Sequence, residues 1–306
     1  MRIGVIGSVN MDYFIETDRF PKSGETVLGK RFFMSLGGKG ANQAVAASRL
    51  GGDVTFFGSV GDDLNSNAIK ENLRREKIDL SFLQSINNCA AGTAFIETSK
   101  GNNRIVVVPG ANWYTDISYS NEVLEKILSL DVILFQMETP MELIELTIPI
   151  LNDAGKITIV NPAPAHKLDQ SIIDKITYIT PNEHEYEIVL DSSEGMNSLL
   201  KKYRNKLIIT CGENGVKYFD GEKIITVPVV NVDPVDTTGA GDTFCGAFAV
   251  AIAEKKELYN SIMFGNVAAG LSIMKKGAQS GMPHREDVDV RMKEFSHENK
   301  DQLTTD

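Results

Sequence analysis

Short β-branched runs alternate along this chain with longer segments of helical period. Residues 3–7, 54–58, 132–137, 157–160, 178–180 and 207–210 read as buried strands. Between them, residues 42–50, 64–76, 141–152 and 183–190 carry apolar positions at helical spacing. Such βαβ alternation predicts an α/β fold with a mostly parallel central sheet and helices on both faces. Residues 216–219 and 224–229, joined through Asp220-Gly221-Glu222, predict a hairpin and so an antiparallel edge.

Two stretches break the alternation. Residues 12–36 are punctuated by Pro21, Gly24 and Gly29, and residues 92–108 hold two strand-like pieces around Lys100-Gly101-Asn102-Asn103. Together they predict a small β-sheet standing off the main body, as a lid or as a structural flap or dimer contact. With no internal repeat and no Pro/Ser linker, the pattern predicts a single domain over 1–306.

Polar groups cluster where strands end. Asn10 and Asp12 follow the first strand, Glu138 the strand at 132–137, Asn161 the strand at 157–160. Asn182 and Glu185 follow residues 178–180, and Thr210 to Gly212 close the run at 207–210. Open α/β sheets bind ligands at the carboxyl ends of their strands. One such residue would be an ordinary turn former; the set predicts a polar rim.

The stretch from Val235 to Phe244, Val-Asp-Thr-Thr-Gly-Ala-Gly-Asp-Thr-Phe, leads into a long apolar segment. A loop of small residues entering a helix leaves backbone N–H groups unpaired at the positive end of the helix dipole, which suits an anion. Asp242 would repel that anion unless its carboxylate takes a proton from an attacking hydroxyl. The plainer reading is a helix cap after a glycine turn. Gly37-Gly38-Lys39-Gly40-Ala41-Asn42-Gln43 is neither a P-loop nor a dinucleotide fingerprint. It suits close approach of a small polyhydroxylated ligand, or a glycine hinge before a helix.

Composition narrows the field. The 306 residues are 42% hydrophobic and 24% charged, as in ordinary globular proteins. The net charge of −10 argues against a nucleic-acid or anionic-membrane surface. No apolar run has membrane-spanning length, and residues 1–7 are too short in their apolar part for a signal peptide. Cys89, Cys211 and Cys245 suit a reducing, cytoplasmic setting, and the four histidines form no zinc-type cluster.

With these residues in view the chain resembles the ribokinase-like carbohydrate kinases over about 7–286. The carriers are Gly7-Ser8-Val9-Asn10-Met11-Asp12, Gly24-Glu25-Thr26, the glycine-lysine run at 37–44, Gly110-Ala111-Asn112, Asn161-Pro162-Ala163-Pro164-Ala165, Thr180-Pro181-Asn182-Glu183, the run at 236–244 and Lys276-Gly277-Ala278-Gln279. The resemblance implies a doubly wound fold with a β-sheet lid. It implies ATP-dependent phosphorylation of D-ribose at the 5-hydroxyl, giving ribose 5-phosphate and ADP. A related sugar or nucleoside kinase, or a sugar-binding sensor without catalysis, are the alternatives.

The resemblance also implies roles. Asp242 would be the base, and the N–H groups of Gly239, Ala240 and Gly241 the anion hole. Asn10, Asp12, Gly38, Lys39, Asn42 and Glu138 would hold the sugar. Asn182 and Glu185 would serve nucleotide phosphates and Mg²⁺, with Thr210, Gly212, Gly215 and Gly241 on the nucleotide side and Asn266 near adenine. A monovalent cation, usually K⁺, would lie near Asp236, Thr238, Ser272, Lys275, Gly277 and Gly281. A homodimer through the lid is implied as well. The segment 191–201 is short for the family.

Overall fold

The computed structural model describes residues 2–303. The chain opens with β1 (Arg2–Ile6), β2 (Asn10–Thr17), β3 (Gly29–Gly37), α1 (Lys39–Arg49), β4 (Asp53–Val60), α2 (Leu64–Arg75) and β5 (Asp79–Ser85). It continues through β6 (Gly92–Ser99), β7 (Asn102–Val108), α3 (Ile117–Leu128), β8 (Val132–Gln136), α4 (Met141–Asp153), β9 (Ile157–Asn161), α5 (Gln170–Ile173), β10 (Tyr178–Ile179) and α6 (Tyr186–Val189). It closes with α7 (Met196–Lys202), β11 (Ile209–Thr210), β12 (Val216–Phe219), β13 (Ile224–Val227), α8 (Ala240–Ala253), α9 (Leu258–Ser272), α10 (Ala278–Gly281) and α11 (Arg285–Leu303).

Six strands form the main sheet in the order β10-β9-β8-β1-β4-β5. Every pairing in it is parallel. Bridges from Ile179 to Leu207 and Asn182 to Thr210 join it to the antiparallel β11-β12-β13 unit. Because side chains alternate along a strand, β1 feeds two cores. Ile3 and Val5 enter one, with α1, α8 and α9; Ile6 enters the other, with α3 and α4. Near-continuous apolar runs such as Val-Ile-Leu-Phe in β8 are what a sheet covered on both faces requires.

The second sheet has the order β3-β2-β6-β7. Its central pair, β2 with β6, is parallel, and the outer pairs are antiparallel. It therefore unites the two stretches that broke the sequence pattern. Register places Asp12, Ser35, Ala94 and Val107 side by side on one face. The other face carries Tyr13, Met34, Phe95 and Val106. Phe32, Met34, Ile105 and Val106 are all more than half exposed.

Two elements differ from the sequence pattern. The edge strand β5 is not evident from the sequence pattern. The helix expected over 183–190 shrinks to the turn of α6, because residues before it bond back to β11: Glu183 N–H donates to Thr210 O and Thr210 N–H to Pro181 O. The last helix reaches Leu303, and residues 304–306 lie outside the described residues.

The start of α1 is pressed against the turn after β1. Gly38, at φ 87°, caps the helix, and a Cβ there would lie 2.7 Å from Val9 Cα. At Gly40 an added Cβ would meet Ser8 N at 2.6 Å and Gly7 C at 2.7 Å, both backbone atoms that cannot rotate away. Gly40→Ala should therefore destabilise the fold by roughly 1–3 kcal/mol, read as a lowered midpoint in thermal or urea unfolding. An unchanged midpoint would mean the turn yields freely.

Candidate active site

Two helices cross where the chemistry gathers. α8 is apolar around nearly its whole circumference and runs through the core. Gly246 lets α1 approach it closely: a Cβ there would fall 2.6 Å from Gln43 O and 2.8 Å from Ala46 Cβ. One helical turn before Gly246 stands Asp242, and that close crossing brings two amides of α1 onto its carboxylate. Asn42 Nδ2 donates to Oδ2 at 2.9 Å and Gln43 Nε2 to Oδ1 at 3.0 Å.

Asp242 is 7% exposed. Burial pushes its pKa up, opposed by the Lys39 ammonium and by the amides of Asn42 and Gln43, with Glu138 adding repulsion. Lys39 feels the converse. Burial disfavours its charge, but Asp242, Glu138 and Glu185 outweigh that and hold its pKa above the usual lysine value. The result is a carboxylate with both oxygens oriented beside an ammonium that stays charged.

Gly239 is the N-cap of α8, at φ 77°, in the left-handed region. A Cβ there would press on Ala278 at 2.8 Å. At Gly241 nothing lies within 4 Å of where a Cβ would be, so the missing side chain keeps the helix entrance open. Gly241 and Asp242 occupy the second and third helical positions, whose N–H groups have no partner inside the helix. The expectation of three converging N–H groups changes in one respect: Ala240 N–H donates to Thr237 O at 3.2 Å, closing the turn.

On one side of this entrance lie the hydroxyl-binding candidates. Lys39 N–H (3.0 Å) and the Ser8 hydroxyl both donate to Glu138 Oε2. Asn10 Oδ1 accepts from Asn112 Nδ2 at 2.8 Å, which turns Asn10 toward a ligand through its amide hydrogens. Asp12 is the outlier. Its Oδ1 is buried with no hydrogen-bond partner among the described residues. Burial first, then the charges of Glu138 and Asp242, raise its pKa from 3.8 to about 7. A buried acceptor without a donor is costly, and a ligand hydroxyl is the natural donor. Asn10 and Glu138 also line a cavity of about 200 Å³ with Val107 of the second sheet, Trp113 and His166.

On the other side two cavities adjoin. One, of about 220 Å³, contains Lys39, Asn182, Glu185, Thr210, Gly239, Gly241 and Asp242. The other, of about 770 Å³, shares Asn182, Thr210, Thr237, Ala240 and Gly241 and extends along Gly212, Gly215, Val232, Ala269 and Asn266. Its walls are mostly apolar, as a flat aromatic group would need. Asn266 lines it but commits its amide to Val227 O (3.1 Å) and Pro228 O (2.9 Å), so it shapes the wall. Asn182 N–H donates to Glu185 Oε2 at 2.9 Å, which aligns that carboxylate with the strand end.

The residues expected near a monovalent cation come together. Asp236 Oδ1 accepts from Thr238 N–H (3.0 Å) and Oδ2 from Gly277 N–H (2.8 Å). Burial opposes its charge, but these bonds hold its pKa below the usual carboxylate value. A Cβ at Gly281 would meet Ser272 O at 2.3 Å and Lys275 O at 3.5 Å, so the bare glycine keeps room where carbonyls converge. Oxygen donors of this kind fit a large, weakly hydrated cation. Glu185 is a hard oxygen donor beside the anion-binding entrance, which fits Mg²⁺ held mainly by phosphate and water. Among the described residues no cluster of three His, Cys, Asp or Glu forms a protein-only metal cage.

Lys39, Asn182, Glu185, Thr210, Gly239, Ala240, Gly241 and Asp242 thus line one cavity, Gly212, Gly215 and Asn266 the one adjoining it, and Asn10 and Glu138 a third, whereas Asp236, Thr238, Ser272, Lys275, Gly277 and Gly281 line none of the three. Sequence reasoning missed Ser8, Gln43, Asn112, Gln136 and Gln279. Gln43 and Gln136 carried a signal, since each interrupts an apolar run that is buried throughout.

Comparison with known proteins agrees with this geometry. The chain is similar to the ribokinase of Bacillus subtilis (strain 168), at 45% identity over 287 residues, 94% of this chain and 98% of the relative. It is similar to a deoxyribokinase of Salmonella typhimurium (strain LT2) at 32% identity, over 92% of this chain and 96% of the relative. The structure of Arabidopsis thaliana ribokinase complexed with ribose and ATP matches with a TM-score of 0.86 at 32% identity, over 94% of this chain and 96% of that one. The model of the pfkB family of carbohydrate kinases matches residues 2–285. That span takes in both sheets and every wall of the cleft, and the chain therefore belongs to the pfkB family of carbohydrate kinases.

Proposed function

We propose that this kinase transfers the γ-phosphate of ATP to the 5-hydroxyl of D-ribose, giving ribose 5-phosphate and ADP. The observation that carries the reading is Asp242: a buried carboxylate, oriented by two amides, at the entrance of a helix N-terminus that suits phosphate. The 45% identity to a ribokinase, against 32% to a deoxyribokinase, favours ribose as acceptor.

The sugar's hydroxyls would be held by Asp12, Asn10, Glu138, Lys39 and the backbone at Gly38, with its reactive hydroxyl on Asp242. As the new O–P bond forms, the hydroxyl proton passes to the Asp242 carboxylate and ADP leaves. Burial makes Asp242 a better proton acceptor, while Lys39, Asn42 and Gln43 oppose its neutralisation. N–H groups of Gly239 and Gly241 would face the charge that builds on the transferring phosphoryl group. Mg²⁺ beside Glu185 and Asn182 would neutralise phosphate charge, and K⁺ among Asp236, Thr238, Ser272, Lys275, Gly277 and Gly281 would strengthen the positive potential of the entrance. The larger cavity would take the nucleoside.

The second sheet would act as a lid, excluding water that competes as acceptor. Its exposed apolar residues fit burial against a second copy, giving a homodimer. Free thiols at Cys89, Cys211 and Cys245 fit a reducing, cytoplasmic compartment. Acidic net charge fits a protein without nucleic-acid or membrane partners. Among the described residues no helix is long and apolar enough to cross a membrane.

Coupled ADP release should proceed with ribose in K⁺, more slowly in Na⁺, and more slowly with deoxyribose. Asp242→Asn should keep the fold and lose about 10²–10⁴ in kcat; full turnover in that variant would remove the base.

Asp12 gives a pH signature. With a folded-state pKa of about 7 against an ordinary 3.8, it stabilises the fold below about pH 4 and loses that contribution as pH rises through 7. Asp12→Asn should be more stable than the parent at pH 8, on the order of 3 kcal/mol, and match it near pH 4. Its KM for ribose should rise. Equal unfolding midpoints at pH 8 would show that the carboxylate is not desolvated.

Sedimentation should find a dimer that Phe33→Asp or Val106→Asp, one on each face of the second sheet, converts to monomer. A monomeric parent would refute the pairing.

A further inference from the structure

An amide side chain has two ends of nearly the same shape and opposite polarity. Asn42 could in principle turn its oxygen toward Asp242, replacing an attraction by a repulsion. The other end of Asn42 decides between them. Gln279 Nε2 donates to Asn42 Oδ1 at 3.0 Å, which forces the Asn42 nitrogen toward the carboxylate. Gln279 is oriented in turn, because Asn72 Nδ2 donates to its Oε1 at 2.9 Å. Three bonds of one polarity therefore run from α2 through α10 and α1 to α8, and end on Asp242.

The relay is anchored. Gln279 is 7% exposed. Its carbonyl accepts from Arg49 Nη1 at 2.6 Å, and Arg49 is clamped by Glu76 at 2.8 and 2.6 Å. The turn that carries Gln279 also supports the anion-binding entrance, since Ala278 lies directly under Gly239 and Gly277 N–H bonds Asp236. A parallel arrangement orients the other clamp: Gln136 Nε2 donates to Gln43 Oε1 at 2.7 Å, and Gln43 Nε2 donates to Asp242.

We infer that Gln279 is a positioning residue for Asp242, acting through Asn42. The inference rests on the reading of Asp242 as the base. Gln279 itself touches neither substrate nor Asp242; it selects which end of Asn42 the carboxylate meets. A donor lost there weakens the bond that favours the ionised base. An acceptor placed there reverses Asn42 and presents oxygen to oxygen. The charged and titratable groups that face Asp242 are Lys39 and Glu138, with Asp12 and Cys245 also in its field; none lies on the relay.

The isosteric pair of substitutions separates polarity from shape. Gln279→Leu and Gln279→Glu are compared with the parent and with Asn72→Leu for unfolding midpoint, kcat, both KM values and the pH dependence of kcat. Gln279→Leu should lower kcat about tenfold, as when Asn42 is free to turn and its hydrogen bond to the charged Asp242 is lost. Gln279→Glu should lower it further although its shape is closer, and KM for ATP should stay within about twofold in both. In both variants the acidic limb of the profile should move to higher pH, because a base with a raised pKa is ionised only there. Asn72→Leu, a step farther from the site, should shift the limb the same way by less, and it carries the test if the Gln279 variants fail to fold. The inference is overturned if folded variants keep the parent's kcat and acidic limb, or lose stability with the limb unmoved. An inert Asp242→Asn beside unaffected Gln279 variants sinks the relay alone; an active Asp242→Asn sinks the base reading itself.

Discussion

Keeping a carboxylate charged inside a protein is the constraint around which this structure is arranged. Burial pushes Asp242 toward its neutral form, and Lys39 with the amides of Asn42 and Gln43, all donors brought from α1, oppose that. Those donors reach it because α1 and α8 cross at Gly246 with almost no side chain between them. The same crossing fixes where the loop before α8 meets the loop before α1. One contact between small residues thus sets Asp242, its clamp and the mouth of the helix N-terminus together. Lys39, at the start of α1, arrives beside Asp242 for the same reason.

The rest of the cleft follows from sheet direction. Parallel strands deliver their carboxyl ends to one rim, and the rim of β1, β8, β9 and β10 carries Ser8, Glu138, Asn161 and Asn182. Asn161 accepts from Gln43 at 3.0 Å and donates to Thr180 O at 3.0 Å, so this rim residue braces the clamp. The second sheet grows from the same rim through β2. The polar half of one of its faces, with Asn10 and Asp12, belongs to the cleft; its outer residues, such as Phe33 and Ile105, do not.

Much of this was legible before the structure. Buried strands of a parallel sheet are written as β-branched runs, and β1, β4, β8 and β9 were found from them. β5 was missed because an edge strand mixes polar and apolar residues without clear period. The helix at 183–190 was overestimated because helical spacing there competes with backbone bonds to β11, a partner supplied by the fold. Asp242 and its glycines stood out through local chemistry: an acidic residue where an anion should bind. The amide relay did not, because its bonds join positions 200 and 237 residues apart and no local spacing encodes them. Asn42 was read as a sugar ligand; its amide also donates to Asp242 and accepts from Gln279, two bonds that the sequence did not show.

β2 has a mechanical consequence. Asn10 and Asp12 are not on a loop beside the second sheet; they are residues of its central strand, at the root where it leaves the body. Any tilt of that sheet must swing both side chains with it. If that sheet is the lid proposed above, grasping a guest and lowering the cover would be a single degree of freedom. A guest that fits poorly between those side chains would then leave the cover ajar, and selectivity would be exercised through the angle of a whole β-layer as well as through the fit of individual groups.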